Sequence, residues 1–136
     1  MVVPAYRQGP SIEADLRRLH AVLDQLTSGS FELIVVVDGF IDDTLERATA
    51  IALPHTTVTG YATNVGKGHA VRYGMQLASG SYVGFIDAGM DIDPSAIRPA
   101  LEAMRHGADA AIGSKLHPRA KTAYPWKRRA YSIGYQ

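Results

Sequence analysis

Three carboxylates stand within seven residues in Asp87-Ala88-Gly89-Met90-Asp91-Ile92-Asp93, directly behind the apolar run Tyr82-Val83-Gly84-Phe85-Ile86. Carboxylate oxygens are the ligands that Mg²⁺ or Mn²⁺ prefers, and a divalent ion shared with a diphosphate would offset charge on a leaving nucleotide. Asp87 and Asp91 are therefore the expected catalytic and metal-binding residues, with Mg²⁺ or Mn²⁺ as cofactor. Asp93, followed by Pro94 and Ser95, reads as a helix cap instead.

A second group, Asn64-Val65-Gly66-Lys67-Gly68-His69, introduces a helical pattern with backbone N–H groups, a helix start and a lysine together, which suits phosphate. It is not a Walker A loop, because the preceding glycine, Gly60, is one residue too far and His69 stands near the place of the magnesium-binding Ser or Thr. A third group opens at Asp38, where Gly39 permits a tight turn. A carboxylate there can accept hydrogen bonds from a base or ribose, whereas Asp42 and Asp43 read as helix-start acids. Arg72 either joins a diphosphate site or faces solvent. The five histidines show no metal-ligand spacing, and there is no Gly-x-Ser-x-Gly elbow or Gly-x-Gly-x-x-Gly after the first strand.

These loops need elements to carry them. Val2-Val3, Leu33 to Val37 and Tyr82 to Ile86 read as buried strands, with weaker strand patterns at Thr56 to Thr59 and Ala108 to Ile112. Ile12, Leu16, Leu19, Leu23 and Leu26 recur at helical spacing, as do Ala70, Tyr73, Met75 and Leu77, and then Ile97, Leu101 and Met104. Alternating strands and helices predict an α/β fold: a mostly parallel sheet with helices on both faces, whose ligands bind beyond the carboxyl ends of the strands.

The 136 residues suit one domain, 46% hydrophobic content is enough for a core, and the lack of cysteine excludes disulfides, thiolate zinc sites and cysteine nucleophiles. The longest purely apolar run, Leu33 to Val37, is far short of the ~20 residues that cross a bilayer. The net charge of +1 hides an asymmetry: residues 1–113 hold 8 basic against 13 acidic residues, while residues 114–136 hold 6 basic and no acidic ones. Residues 1–113 are read as the domain body and 114–136 as a basic, aromatic segment continuing it, suited to meet something anionic. Tyr131 to Gln136 has no terminating signal, so the chain is expected to be truncated at its carboxyl end, a fragment of a longer protein.

In this order the loops resemble those of the family 2 glycosyltransferases of the type A fold, particularly the branch that makes dolichyl- or polyprenyl-phosphate sugars. Pro4-Ala5-Tyr6 looks like the family's Pro-x-Tyr-Asn-Glu, Val37-Asp38-Gly39 with Asp42-Asp43-Thr44 like its Val-Asp-Asp/Gly-x-Ser-x-Asp-x-Thr, and Asn64 to Gly68 like its Asn-x-Gly-Lys-Gly. The resemblance implies that Pro4, Ala5, Tyr6 and Asp38 hold base and ribose, that Gly66 and Lys67 lie near the diphosphate, and that the Asp87 loop is the metal-binding Asp-Ala-Asp. It further implies a Rossmann-like nucleotide-binding half, with residues 1–113 as the nucleotide-sugar-binding domain and 114–136 as the acceptor-side segment, in which Ser114, Lys115, Arg128 and Arg129 face a lipid phosphate. A nucleotide-sugar donor, UDP- or GDP-linked, is then the partner, with inversion at the sugar, no nucleic acid, and a cytoplasmic location peripheral to the membrane face. Two departures stand out: Arg7-Gln8 in place of Asn-Glu, and Gly89 at the last Asp of Asp-x-Asp, for which Asp91 is the natural substitute. Two other readings stay open, a catalytically impaired nucleotide-sugar-binding module and a nucleotidyltransferase of a related α/β fold. For the latter Pro4 to Gly9 supplies too little of the required Gly-rich, basic loop.

Overall fold

The computed structural model describes residues 1–113; Ser114, Lys115, Arg128 and Arg129, with the whole 114–136 segment, lie outside the described residues. The elements run β1 (Val2–Ala5), α1 (Ile12–Thr27), β2 (Leu33–Asp38), α2 (Thr44–Ala50), β3 (Thr56–Tyr61), α3 (Lys67–Leu77), a 3₁₀ turn (Pro94–Ala96) and α4 (Ile97–Arg105). The strands form a parallel sheet in the order β1-β2-β3.

Side chains alternate between the faces of a strand, and each face here has its own cover. Val3, Ala5, Leu33 and Val35 pack with Ile12, Leu16, Leu19 and Leu23 of α1 and Ala48 of α2. Val2, Ile34 and Val36 pack with Ala70 of α3 on the opposite face. Each of the large α1 side chains contributes about 1.5–3 kcal/mol through burial. Helix α3 approaches the sheet through Gly74, where a methyl group would overlap Val2 Cγ1 and come within 3.0 Å of Val36 Cγ2. The helices on both faces are those the alternating pattern predicts.

Two expected strands differ. Tyr82 to Ile86 meets the sheet at one parallel bridge, Val2 with Phe85, supported by Val2 N donating to Gly84 O at 2.8 Å and Ile86 N to Val2 O at 3.0 Å. Only Ile86 of this run is buried; Tyr82, Val83 and Phe85 are half exposed. β1 has only four residues to offer as a ladder, and the apolar run has no covering layer among the described residues. Ala108 to Ile112 forms no strand, and Ile112 is 90% exposed.

The Phe85 segment nonetheless lies across β1 from β2. The chain thus steps outward from β1 to β2 to β3 and then returns to the other side of β1. At such a reversal open α/β sheets take their ligands, at the carboxyl ends of the strands. The loop after β1 and the Asp87 turn meet at this switch point.

Candidate functional site

Parallel register brings the strand ends level: Ala5 pairs with Val37 and Asp38 with Tyr61. Gly39 turns the chain at φ +95°, and its N–H donates to Tyr61 O at 3.1 Å, with Phe40 N donating to Ala62 O at 3.2 Å. The loops after β2 and β3 are thereby tied together.

Asp38 completes that tie. It is 3% exposed, and its Oδ1 accepts from Val65 N at 2.8 Å and Gly66 N at 3.2 Å, while Oδ2 accepts from Asn64 Nδ2 at 2.8 Å and Gly66 N at 2.9 Å. A buried carboxylate needs such donors to offset its lost hydration. Asn64 also donates to Asp38 O at 3.2 Å. Beside it, burial pushes the Tyr61 phenol up to about 12, with the neighbouring Asp38 carboxylate adding to the shift; the Tyr61 hydroxyl is buried without a hydrogen-bond partner.

Gly66, at φ +108°, accepts from the N–H groups of His69 and Ala70 and starts α3. Lys67 is thus aimed by the loop that Asp38 holds. Its Nζ lies 2.6 Å from Asp87 Oδ1 and 2.7 Å from Oδ2, and 5.5 Å from the centre of the Phe85 ring. The structure therefore brings Asp38, Gly66, Lys67 and Asp87 into one connected arrangement at the rim of the sheet.

The loop after β1 joins it from the other side. Pro4 and Ala5 are buried as part of β1, whereas Tyr6 is exposed and carries the Arg7 guanidinium 5.7 Å from its ring centre. Gln8 N donates to Thr44 Oγ1 at 2.9 Å and Gly9 N to Asp42 Oδ2 at 3.3 Å. Hydrogen bonding from the Thr44 hydroxyl first, then from backbone N–H groups, holds the Asp42 carboxyl below its ordinary range. Asp43 pairs with Arg47 at 2.6 Å.

The two departures noted in the sequence meet here: a methyl group at Gly89 would lie 3.4 Å from Gln8 Oε1. Asp91 lies on the same exposed turn. Asp93 caps the following turn, accepting from Ser95 N at 2.8 Å. Sequence reasoning passed over Asn64 and Tyr61 as single residues; of these Asn64 carries a signal, as the first residue of Asn-x-Gly-Lys-Gly.

Among the described residues no group of three or more His, Cys, Asp or Glu side chains is gathered to hold a metal; Asp87 Oδ2 accepts from Lys67 Nζ, while Oδ1, 2.6 Å from that ammonium, is buried without a hydrogen bond. One orphaned carboxylate oxygen is not an all-protein cage; it fits only an ion whose other ligands come from elsewhere. No helix among the described residues is long and apolar enough to cross a membrane.

The fold and cleft define the class: a doubly wound α/β domain whose polar loops converge at the switch point of its sheet. Residues 1–136 match the model of Glycosyl transferase family 2, and the chain belongs to that family. It is 30% identical to Glycosyltransferase AglD of Haloferax volcanii, over 99% of this chain and 22% of that protein. It is 29% identical to Dolichol-phosphate mannosyltransferase of Pyrococcus furiosus, over 98% of this chain and 38% of that one. With Undecaprenyl-phosphate 4-deoxy-4-formamido-L-arabinose transferase of Aeromonas hydrophila it shares 32% identity over 97% of this chain and 40% of the relative. The chain thus spans less than half the length of these curated relatives.

Proposed function

We propose that this chain is the donor-binding part of a glycosyltransferase that moves one sugar from a UDP- or GDP-linked donor to a polyprenyl phosphate, with inversion. The observation that carries the reading is the Lys67–Asp87 pair at the switch-point crevice, with Nζ within 2.7 Å of the carboxylate. It joins a cation at a helix start to an acid at a strand end, the two charges a metal-bound diphosphate would engage.

In this reading Tyr6, with the Pro4-Ala5 backbone, borders the base and ribose. Asp38 holds Gly66 in position, and Lys67 turns from Asp87 to the diphosphate. Asp87 and Asp91 would hold the Mg²⁺ or Mn²⁺, which supplies positive charge to the departing nucleoside diphosphate. A phosphate oxygen of the acceptor attacks the anomeric carbon from the face opposite the donor's diphosphate. As that bond forms, the bond from the anomeric carbon to the β-phosphate oxygen breaks and its electron pair leaves with the nucleoside diphosphate. A phosphate acceptor is already anionic, so this step calls for positioning and charge shielding and no general base. Ser114, Lys115, Arg128 and Arg129, outside the described residues, are the proposed contacts to the lipid phosphate at a membrane surface.

A panel of nucleotide sugars, with and without Mn²⁺, tests the reading through protection against heat unfolding and calorimetry. Lys67→Met and Asp87→Ala are each expected to weaken nucleotide binding about 10- to 100-fold, as expected for charge-assisted contacts of about 1.5–3 kcal/mol. No protection by any UDP or GDP compound would refute it. Gly89, which brings no carboxylate to the turn, favours a second reading: a binding module without transfer. Nucleotide binding with no sugar transfer by the full-length protein would select that one.

A further inference from the structure

The turn that presents Asp87 and Asp91 is a tight reversal. Gly89 and Met90 both lie in the left-handed region, at φ +89° and +51°. A non-glycine residue there costs about 1–2 kcal/mol, so the conformation must be held by its surroundings.

Helix α1 does the holding. Asp15 Oδ2 accepts from Gly89 N at 3.0 Å across 74 residues of chain, and Arg18 pairs with Asp93 at the exit of the turn. Three residues apart, Asp15 and Arg18 share one face of the helix. Gln8 stands over Gly89, its Oε1 accepting from Ser11 Oγ at 3.1 Å. Met90 packs against the core cluster that α1 helps to form. The Arg18–Asp93 pair is exposed and correspondingly weak. The bond from Asp15 is exposed as well, but it reaches the backbone of the left-handed residue itself.

We propose that Asp15 is a positioning residue for the Asp87 turn: its carboxylate fixes the Gly89 backbone and so sets how Asp87 and Asp91 meet the donor diphosphate. Asp15 is one of two acids in the first turn of α1. Its placement gives it a second task, coupling the first helix to the acidic turn across the switch-point crevice. The proposal rests on the donor-binding reading for its consequence, but not for the bond.

The test compares Asp15→Ala and Asp15→Asn by amide exchange at Gly89 and by calorimetry with UDP and with GDP in the presence of Mn²⁺. Alanine, the best helix former, leaves α1 intact; it is expected to raise Gly89 exchange and to weaken nucleotide binding, each by about tenfold. Asparagine keeps an acceptor oxygen in place and is expected to restore both. Asp15→Ser, whose oxygen falls short of Gly89, follows alanine and serves if the alanine variant does not fold. Unchanged Gly89 exchange in the alanine or serine variant would overturn the proposal. So would faster exchange with unaltered nucleotide affinity, or asparagine behaving as alanine does. If the unaltered protein bound neither nucleotide, the donor reading would fall while Gly89 exchange still decided whether Asp15 holds the turn.

Discussion

Replacing Asp38 by asparagine keeps the side chain's shape and reverses one of its polarities. The carboxylate accepts at both oxygens, from Val65 N and Gly66 N on one side and from Asn64 Nδ2 and Gly66 N on the other. Whichever way an amide is turned, its NH₂ faces an N–H donor at a site only 3% exposed. One charge-assisted set of bonds is lost and a buried donor is left unsatisfied, at a combined cost of about 2–4 kcal/mol. For a chain of this size that corresponds to a fall of roughly 8–15 °C in Tm. Scanning calorimetry measures the fall, and amide exchange locates it: the Val65 and Gly66 N–H groups should lose protection first. Asp43→Asn, at the exposed pair with Arg47, is the control and should stay within about 0.5 kcal/mol of the unaltered chain. An Asp38→Asn protein that melts within about 2 °C of the original, with Val65 and Gly66 still protected, would refute the view that this carboxylate holds the loop.

Two further changes probe the frame around the site. Gly74→Ala places a methyl group against Val2 and Val36 and should destabilise by about 1–3 kcal/mol, seen as a lower denaturant midpoint. Tyr61 has a folded-state pKa raised from 10.0 to about 12, chiefly because burial penalises the phenolate, so the folded state is unaffected below pH 10 and loses stability relative to the unfolded chain as pH rises from 10 to about 12. Tyr61→Phe should remove that alkaline loss, measured by thermal melts across this range, and at neutral pH should be neutral or stabilising, because the buried hydroxyl has no partner.

Where local pattern decides structure, the sequence was legible. The five-residue apolar run gave β2, the 3.6-residue spacing gave α1 and the polar start at Asp93 opened the last helix. Gly39 does adopt the tight left-handed turn expected of it, and even the faint β3 pattern formed a full ladder with β2. Tyr82 to Ile86 misled because an apolar run reads as buried wherever it lies, whereas burial depends on layers packed from elsewhere in the chain. The site was legible as separate loops and not as a network. The contact of Lys67 with Asp87 spans 20 residues and that of Asp38 with Gly66 spans 28. Such distances close only through strand register, which no local pattern states.

Because the ammonium of Lys67 already rests on Asp87, an incoming anion does not find an empty positive site. It has to compete with an internal carboxylate held at high effective concentration, and a lone phosphate offers nothing in exchange for leaving Asp87 without a counter-charge. A diphosphate arriving with its own divalent cation offers both halves of the trade at once. Under the donor-binding proposal, the resting pair would thereby favour a ligand that satisfies acid and base together over the small anions that surround it.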